Sequence, residues 1–142
     1  MSLDRARMVH GFLEDSARRF PAKSALFASG KWHSYRELDD EANRLARFLL
    51  KQGLAKGDRV ALLIENSAEY VVSYYAILKA GGTTVALNTE STADDVSYVV
   101  GDCGIRYLVA AQRLLARLGQ VPGGRPAWPV LDRSGSLKGV FA

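Results

Sequence analysis

From Lys56 onward the chain alternates short apolar runs with stretches of helical period, and that alternation leaves few folds open. Val60 to Ile64 is apolar without a break, as a parallel strand covered on both faces requires. Asn66 and Ser67 then open a segment whose Val71, Tyr74, Tyr75 and Leu78 recur at helical spacing up to Gly81-Gly82. Thr83 to Leu87 is short and rich in β-branched residues, hence a strand. Thr92-Ala93-Asp94-Asp95 is a capping pattern with acids in the first turn, and Val96, Val99 and Val100 continue it as a helix. Arg106 to Ala110 reads as a strand, Gln112 to Leu118 as a short helix, Pro122 to Pro126 as a loop and Trp128 to Leu131 as a fourth strand. The order β-α-β-α-β-α-β predicts an α/β fold: a doubly wound, mostly parallel sheet flanked by helices and joined by right-handed crossovers.

Ahead of that unit the spacing of Val9, Phe12, Leu13, Ser16 and Phe20 predicts a helix over residues 4–19, ended by Pro21. Ser24 to Ala28 and Lys31 to His33 flank Ser29-Gly30 and read as a hairpin. Ser34-Tyr35-Arg36-Glu37 is a capping box, and Leu38, Ala42, Leu45 and Leu49 carry its helix forward to a stop at Gly53. With 142 residues, one core is expected: residues 1–132 as a single α/β subdomain, and 133–142 as a linker or frayed end.

Charge and composition exclude several functions. Lys and Arg number 19 against 15 Asp and Glu, and the surplus falls after residue 102. There the arginines are scattered among apolar and turn residues, which is not the one-sided patch of a nucleic-acid binder. No run reaches the roughly 20 apolar residues of a membrane span. Charged residues interrupt the N-terminus where a secretion signal needs an apolar stretch, and the lone Cys103 excludes an internal disulfide, so a reducing cytoplasm is the expected location.

The residues that carry chemistry elsewhere have structural readings here. A doubly wound sheet places phosphate loops between its first strand and the following helix, but that junction is Ile64-Glu65-Asn66-Ser67-Ala68, with no glycine and with a carboxylate placed to repel phosphate. Gly81-Gly82 follows a helix and reads as a stop with close packing into the next strand. Ser134 to Gly139 is too short for a Walker loop. His10 and His33 lack partners at metal-ligand spacing, Cys103 reads as an inert buried thiol, and Asp39-Asp40-Glu41 as a solvated first turn. Tyr70, Tyr74 and Tyr75 read as helix-to-sheet packing. The sequence thus offers no catalytic, cofactor-binding or metal-binding residue.

Three segments nevertheless resemble one family: Phe12 to Leu26, Trp32 to Gly82 with its SYREL and LKAGG stretches, and Leu87 to Val109. They are similar to the N-terminal portion of the AMP-forming adenylating enzymes, the superfamily of acyl-CoA synthetases, luciferases and peptide-synthetase adenylation domains. The chain departs from the family pattern at Ala86, Thr89 and Ala93, where members commonly carry proline. Asn88 stands where peptide-synthetase domains more often carry aspartate, which tilts the resemblance toward an acyl-CoA ligase. The resemblance implies a parent enzyme that uses ATP, magnesium and coenzyme A to convert a carboxylic or fatty acid through an acyl-adenylate to a thioester. It also implies that the phosphate-gripping loop, the ribose-contacting acid and the catalytic lysine lie further on. The expectation is an N-terminal fragment, a subdomain of a larger enzyme, inactive alone, whose first partner is the missing downstream part and which exposes an apolar face able to form a homodimer. The alternative is a naturally short, non-enzymatic protein-binding module of the same fold.

Overall fold

The computed structural model describes residues 8–118 together with Val130 and Leu131. The elements run α1 (Val9–Arg19), β1 (Ser24–Ala28), β2 (Lys31–Ser34), α2 (Tyr35–Lys51), β3 (Arg59–Leu63), α3 (Ala68–Lys79), β4 (Thr83–Ala86), α4 (Ala93–Asp102), β5 (Tyr107–Ala111), α5 (Gln112–Leu118) and β6 (Val130–Leu131). The sheet expected from the alternation is present, with strand order β4-β3-β5-β6 and every pairing parallel. Expected strand and helix ends differ from the observed ones by a residue or two, where the chain enters or leaves the ladder. The exception is α1, which begins at Val9 because Met8 is extended there; residues 4–7 lie outside the described residues. So do the 122–126 loop, the first half of the expected fourth strand and the 133–142 tail.

The chain steps from β3 to β4 on one side, then crosses back over β3 to β5. Keeping every crossover right-handed through that reversal moves the connecting helix to the opposite face. Two cores result. Val60, Leu62 and Ile64 point to the face covered by α2 and α3, where Leu45, Leu49, Val72 and Ile77 are fully or almost fully buried. Ala61 and Leu63 point the other way, into a smaller core with Val96 of α4, Leu108 and Leu114 of α5. The period of two explains the unbroken apolar run of β3: each face of the strand has its own layer to satisfy.

Both capping boxes form as expected. The Ser34 N–H donates to Glu37 Oε2 at 2.7 Å and the Glu37 N–H to Ser34 Oγ at 3.2 Å. At α4 the Thr92 N–H donates to Asp95 Oδ2 at 2.8 Å and the Asp95 N–H to Thr92 Oγ1 at 3.2 Å. These backbone donors hold both carboxyls below their ordinary range. Gly81 and Gly82 do the two jobs assigned to them. Gly81 stops α3 at φ +86°, and a Cβ at Gly82 would come within 3.1 Å of Ile77 Cγ2 and 3.3 Å of the Asp58 carbonyl oxygen.

The hairpin β1–β2 is antiparallel and separate from the main sheet. Its turn places Ser29 as well as Gly30 at positive φ, 50° and 75°, the geometry of a tight two-residue turn. One extra residue in β1 shifts the register between Ser24 and Leu26.

Ser34→Ala should lower stability by about 1 kcal/mol in urea denaturation. Because the Glu37 carboxyl is depressed in the folded state, its contribution is complete above the ordinary value of 4.5 and is lost as pH falls through the lower folded value; Glu37→Gln should flatten that acid limb. Gly82→Ala should cost about 1–3 kcal/mol through overpacking against Ile77 and the Asp58 carbonyl, measured the same way.

Candidate functional site

In a doubly wound sheet the crevice lies where neighbouring strands send their following helices in opposite directions, outside the carboxyl ends of those strands. Here that point lies between β3 and β5, which pair directly but lead to α3 on one face and α5 on the other. Its rim consists of Ile64 to Ser67 after β3 and of Ala111 to Arg113 after β5.

Three rim residues, Glu65, Ser67 and Arg113, already have partners. The Ser67 hydroxyl donates to the Glu65 carbonyl at 2.9 Å and accepts from the Tyr70 N–H at 3.2 Å, so α3 caps its own first turn. Arg113 Nη2 ion-pairs with Glu65 Oε1 across the crevice, joining residues 48 positions apart, and this bond raises the guanidinium pKa. No glycine lets the backbone approach a ligand there. The rim's serine is thus committed to the first turn of α3, and its carboxylate and its cation neutralise each other. Among the described residues no group of three or more His, Cys, Asp and Glu could hold a metal ion.

The residues weighed on sequence grounds are dispersed. His10 is half-buried in α1 and His33 lies opposite Leu26 in the hairpin. Cys103 caps α4, half-buried, and its carbonyl accepts from Arg59 Nη1 at 3.0 Å. Tyr74 and Tyr75 meet edge to face at 5.7 Å and, with Tyr70, pack against the larger core. Burial raises the Tyr75 hydroxyl pKa, with Tyr74 and Tyr35 adding to it. Ser134 to Gly139 lies outside the described residues.

Asp39 departs from the solvated reading given to its run. Its side chain is only 17% exposed and its Oδ1 lies 2.7 Å from the ammonium of Lys79, which is 5% exposed and also meets Glu14 Oε1 at 3.1 Å. Sequence reasoning missed this trio. The available signal was Asp39's position one residue after core-facing Leu38, at the edge of the apolar stripe rather than opposite it.

Asn88 has a turn to hold. Its Oδ1 accepts from the Glu90 N–H at 2.9 Å and its carbonyl from the Ser91 N–H at 3.0 Å, closing the chain without the proline expected at Thr89. That contact uses only a side-chain oxygen, which aspartate supplies equally well, so the turn does not discriminate between the two branches of the family.

Among the described residues the large apolar side chains left exposed are Met8, Val9, Phe12 and Phe20 in or beside α1, Phe27 and Trp32 on the hairpin, Leu50 on α2 and Tyr98 on α4. No described helix is long and apolar enough to cross a membrane.

The fold and its switch point define an α/β subdomain of the kind that adenylate-forming enzymes contain. The chain belongs to the AMP-binding enzyme family, matching it over residues 13–136. It is 37% identical over 108 residues to gramicidin S synthase 2 of Aneurinibacillus migulanus, covering 76% of this chain and 2% of that protein. It is 35% identical over 111 residues to a long-chain-fatty-acid–CoA ligase of Bacillus subtilis, covering 78% of this chain and 20% of the ligase. The Mycobacterium tuberculosis fatty acyl CoA synthetase superimposes on 98% of the chain with a TM-score of 0.83 at 27% identity, through 29% of its own length. The chain thus spans under a third of each of these proteins.

With both side chains more than half exposed, the Glu65–Arg113 pair contributes little to stability. Arg113→Ala should leave the urea-unfolding midpoint essentially unchanged, and a clear downward shift would show that the crevice rim is part of the core.

Proposed function

We propose that this chain is the architectural, N-terminal part of an AMP-forming acyl-CoA ligase and carries no nucleotide site of its own. In the reaction proposed for the parent enzyme, a carboxylate oxygen attacks the α-phosphorus of ATP. Pyrophosphate leaves, and a thiol then displaces AMP from the acyl carbon. That chemistry needs positioned positive charge around the phosphates, and it falls to residues outside this subdomain. The observation that carries the reading is the crevice rim: in a member of the AMP-binding family, the point where a doubly wound sheet takes its ligand is occupied by the Glu65–Arg113 pair and a self-capped α3.

Coenzyme A as acceptor is supported by the superposition on the fatty acyl CoA synthetase over 98% of the chain. The 37% identity to gramicidin S synthase 2 favours a second reading, in which the same architecture opens a peptide-synthetase adenylation domain. In the enzyme that carries this segment, acyl-CoA formation against loading of a carrier-protein thiol separates the two.

Isothermal titration of the 142-residue chain tests the architectural role. The expected result is no saturable heat with ATP and magnesium, or with coenzyme A, at ligand concentrations up to about 1 mM, where binding is worth roughly 4 kcal/mol. Saturable ATP binding would place a phosphate site in this segment and overturn the proposal.

A further inference from the structure

We infer that α1 is a hinged strap over the α2–α3 pair, and that the buried ammonium of Lys79 is the catch that holds it closed. α1 packs on both α2 and α3 but has few anchors. Among the described residues, only Gly11 and Leu13 of this helix are buried and no side chain caps its N-terminus, and Phe12 is 60% exposed. The Asp15 pairs with Arg18 and Arg19 are internal to the helix and exposed, so they stiffen α1 without attaching it to anything.

The C-terminal end of α1 is pinned differently. Past Phe20, the Pro21 carbonyl accepts from the Arg36 N–H and the Lys23 carbonyl from the Tyr35 N–H, both at 3.1 Å. These backbone bonds fix the joint to the start of α2 whatever α1 does. Between that joint and Val9, Glu14 ties α1 to the body of the fold through Lys79.

Lys79 is the centre of the device because its two partners belong to different helices. Asp39 of α2 pairs with it inside the permanent α2–α3 body, and the Asp39 carboxylate also accepts from Asn43 Nδ2 at 3.3 Å. With α1 lifted, the ammonium keeps one carboxylate and stays compensated. With α1 closed, Glu14 completes its second contact and Leu13 enters the core. Opening therefore abandons no buried charge, whereas removing the Lys79 ammonium removes the reason for Glu14 to sit there. A catch of this kind releases one helix and leaves the sheet intact, the pattern of a local opening unit.

Hydrogen exchange read by mass spectrometry on the full chain tests this in three variants. In Glu14→Gln, and in Lys79→Met combined with Asp39→Asn so that no buried carboxylate is stranded, amides of residues 9–19 should exchange at least about tenfold faster, while those of β3 and β5 keep their protection. In Asp39→Asn, which leaves the Glu14–Lys79 pair intact, α1 should stay protected. Unchanged α1 exchange in Glu14→Gln would overturn the inference. Equal acceleration in α1 and β3 would overturn it as well, as would release of α1 by Asp39→Asn, because the trio would then hold the whole fold rather than the strap.

Discussion

Everything in this fold is arranged around the burial of β3 on both faces. A strand with Val60 and Leu62 turned one way and Ala61 and Leu63 the other needs two separate apolar layers. A chain of this length supplies them by reversing direction once. That reversal sends α3 to one face and α4 and α5 to the other, sets β4 at an edge, and creates the crevice between β3 and β5. Stability and the location of the candidate site thus share one origin, the two-sided hydrophobic demand of five residues.

The crevice shows that a fold-level address does not guarantee an occupant. Parallel α/β sheets offer helix ends and converging loops at the switch point, but binding depends on which groups remain unspent there. Here the serine that could have faced an anion is committed to the Tyr70 amide, and the arginine that could have drawn one is committed to Glu65. The chain belongs to the AMP-binding enzyme family and carries this committed rim while spanning under a third of each relative it was matched to.

Features decided by a few neighbouring residues were legible in the sequence. The boxes at Ser34 and Thr92, the stop at Gly81-Gly82 and the two-sided burial of β3 each follow from local hydrogen bonding or periodicity. Strand order was not, because it depends on which side each crossover takes. The Asp39–Lys79–Glu14 trio and the Glu65–Arg113 pair were also hidden, since their members lie 40, 65 and 48 positions apart and meet only after the layers assemble. Ser29 at positive φ escaped as well: the turn's flanking strands impose a conformation that serine does not choose by itself.

The register shift in β1 changes what the hairpin displays. A regular strand alternates its side chains between two faces, so with Ala25 turned toward the core Leu26 would face solvent and Phe27 would be covered. The extra residue places Ala25 and Leu26 together on the inner side, opposite one stretch of β2, and turns Phe27 out to lie against Trp32 at 5.2 Å between ring centroids. One additional residue thus acts as a phase inverter. It trades a hidden phenyl ring for an aromatic pair on the outside of the molecule, at the cost of an interrupted ladder between two short strands.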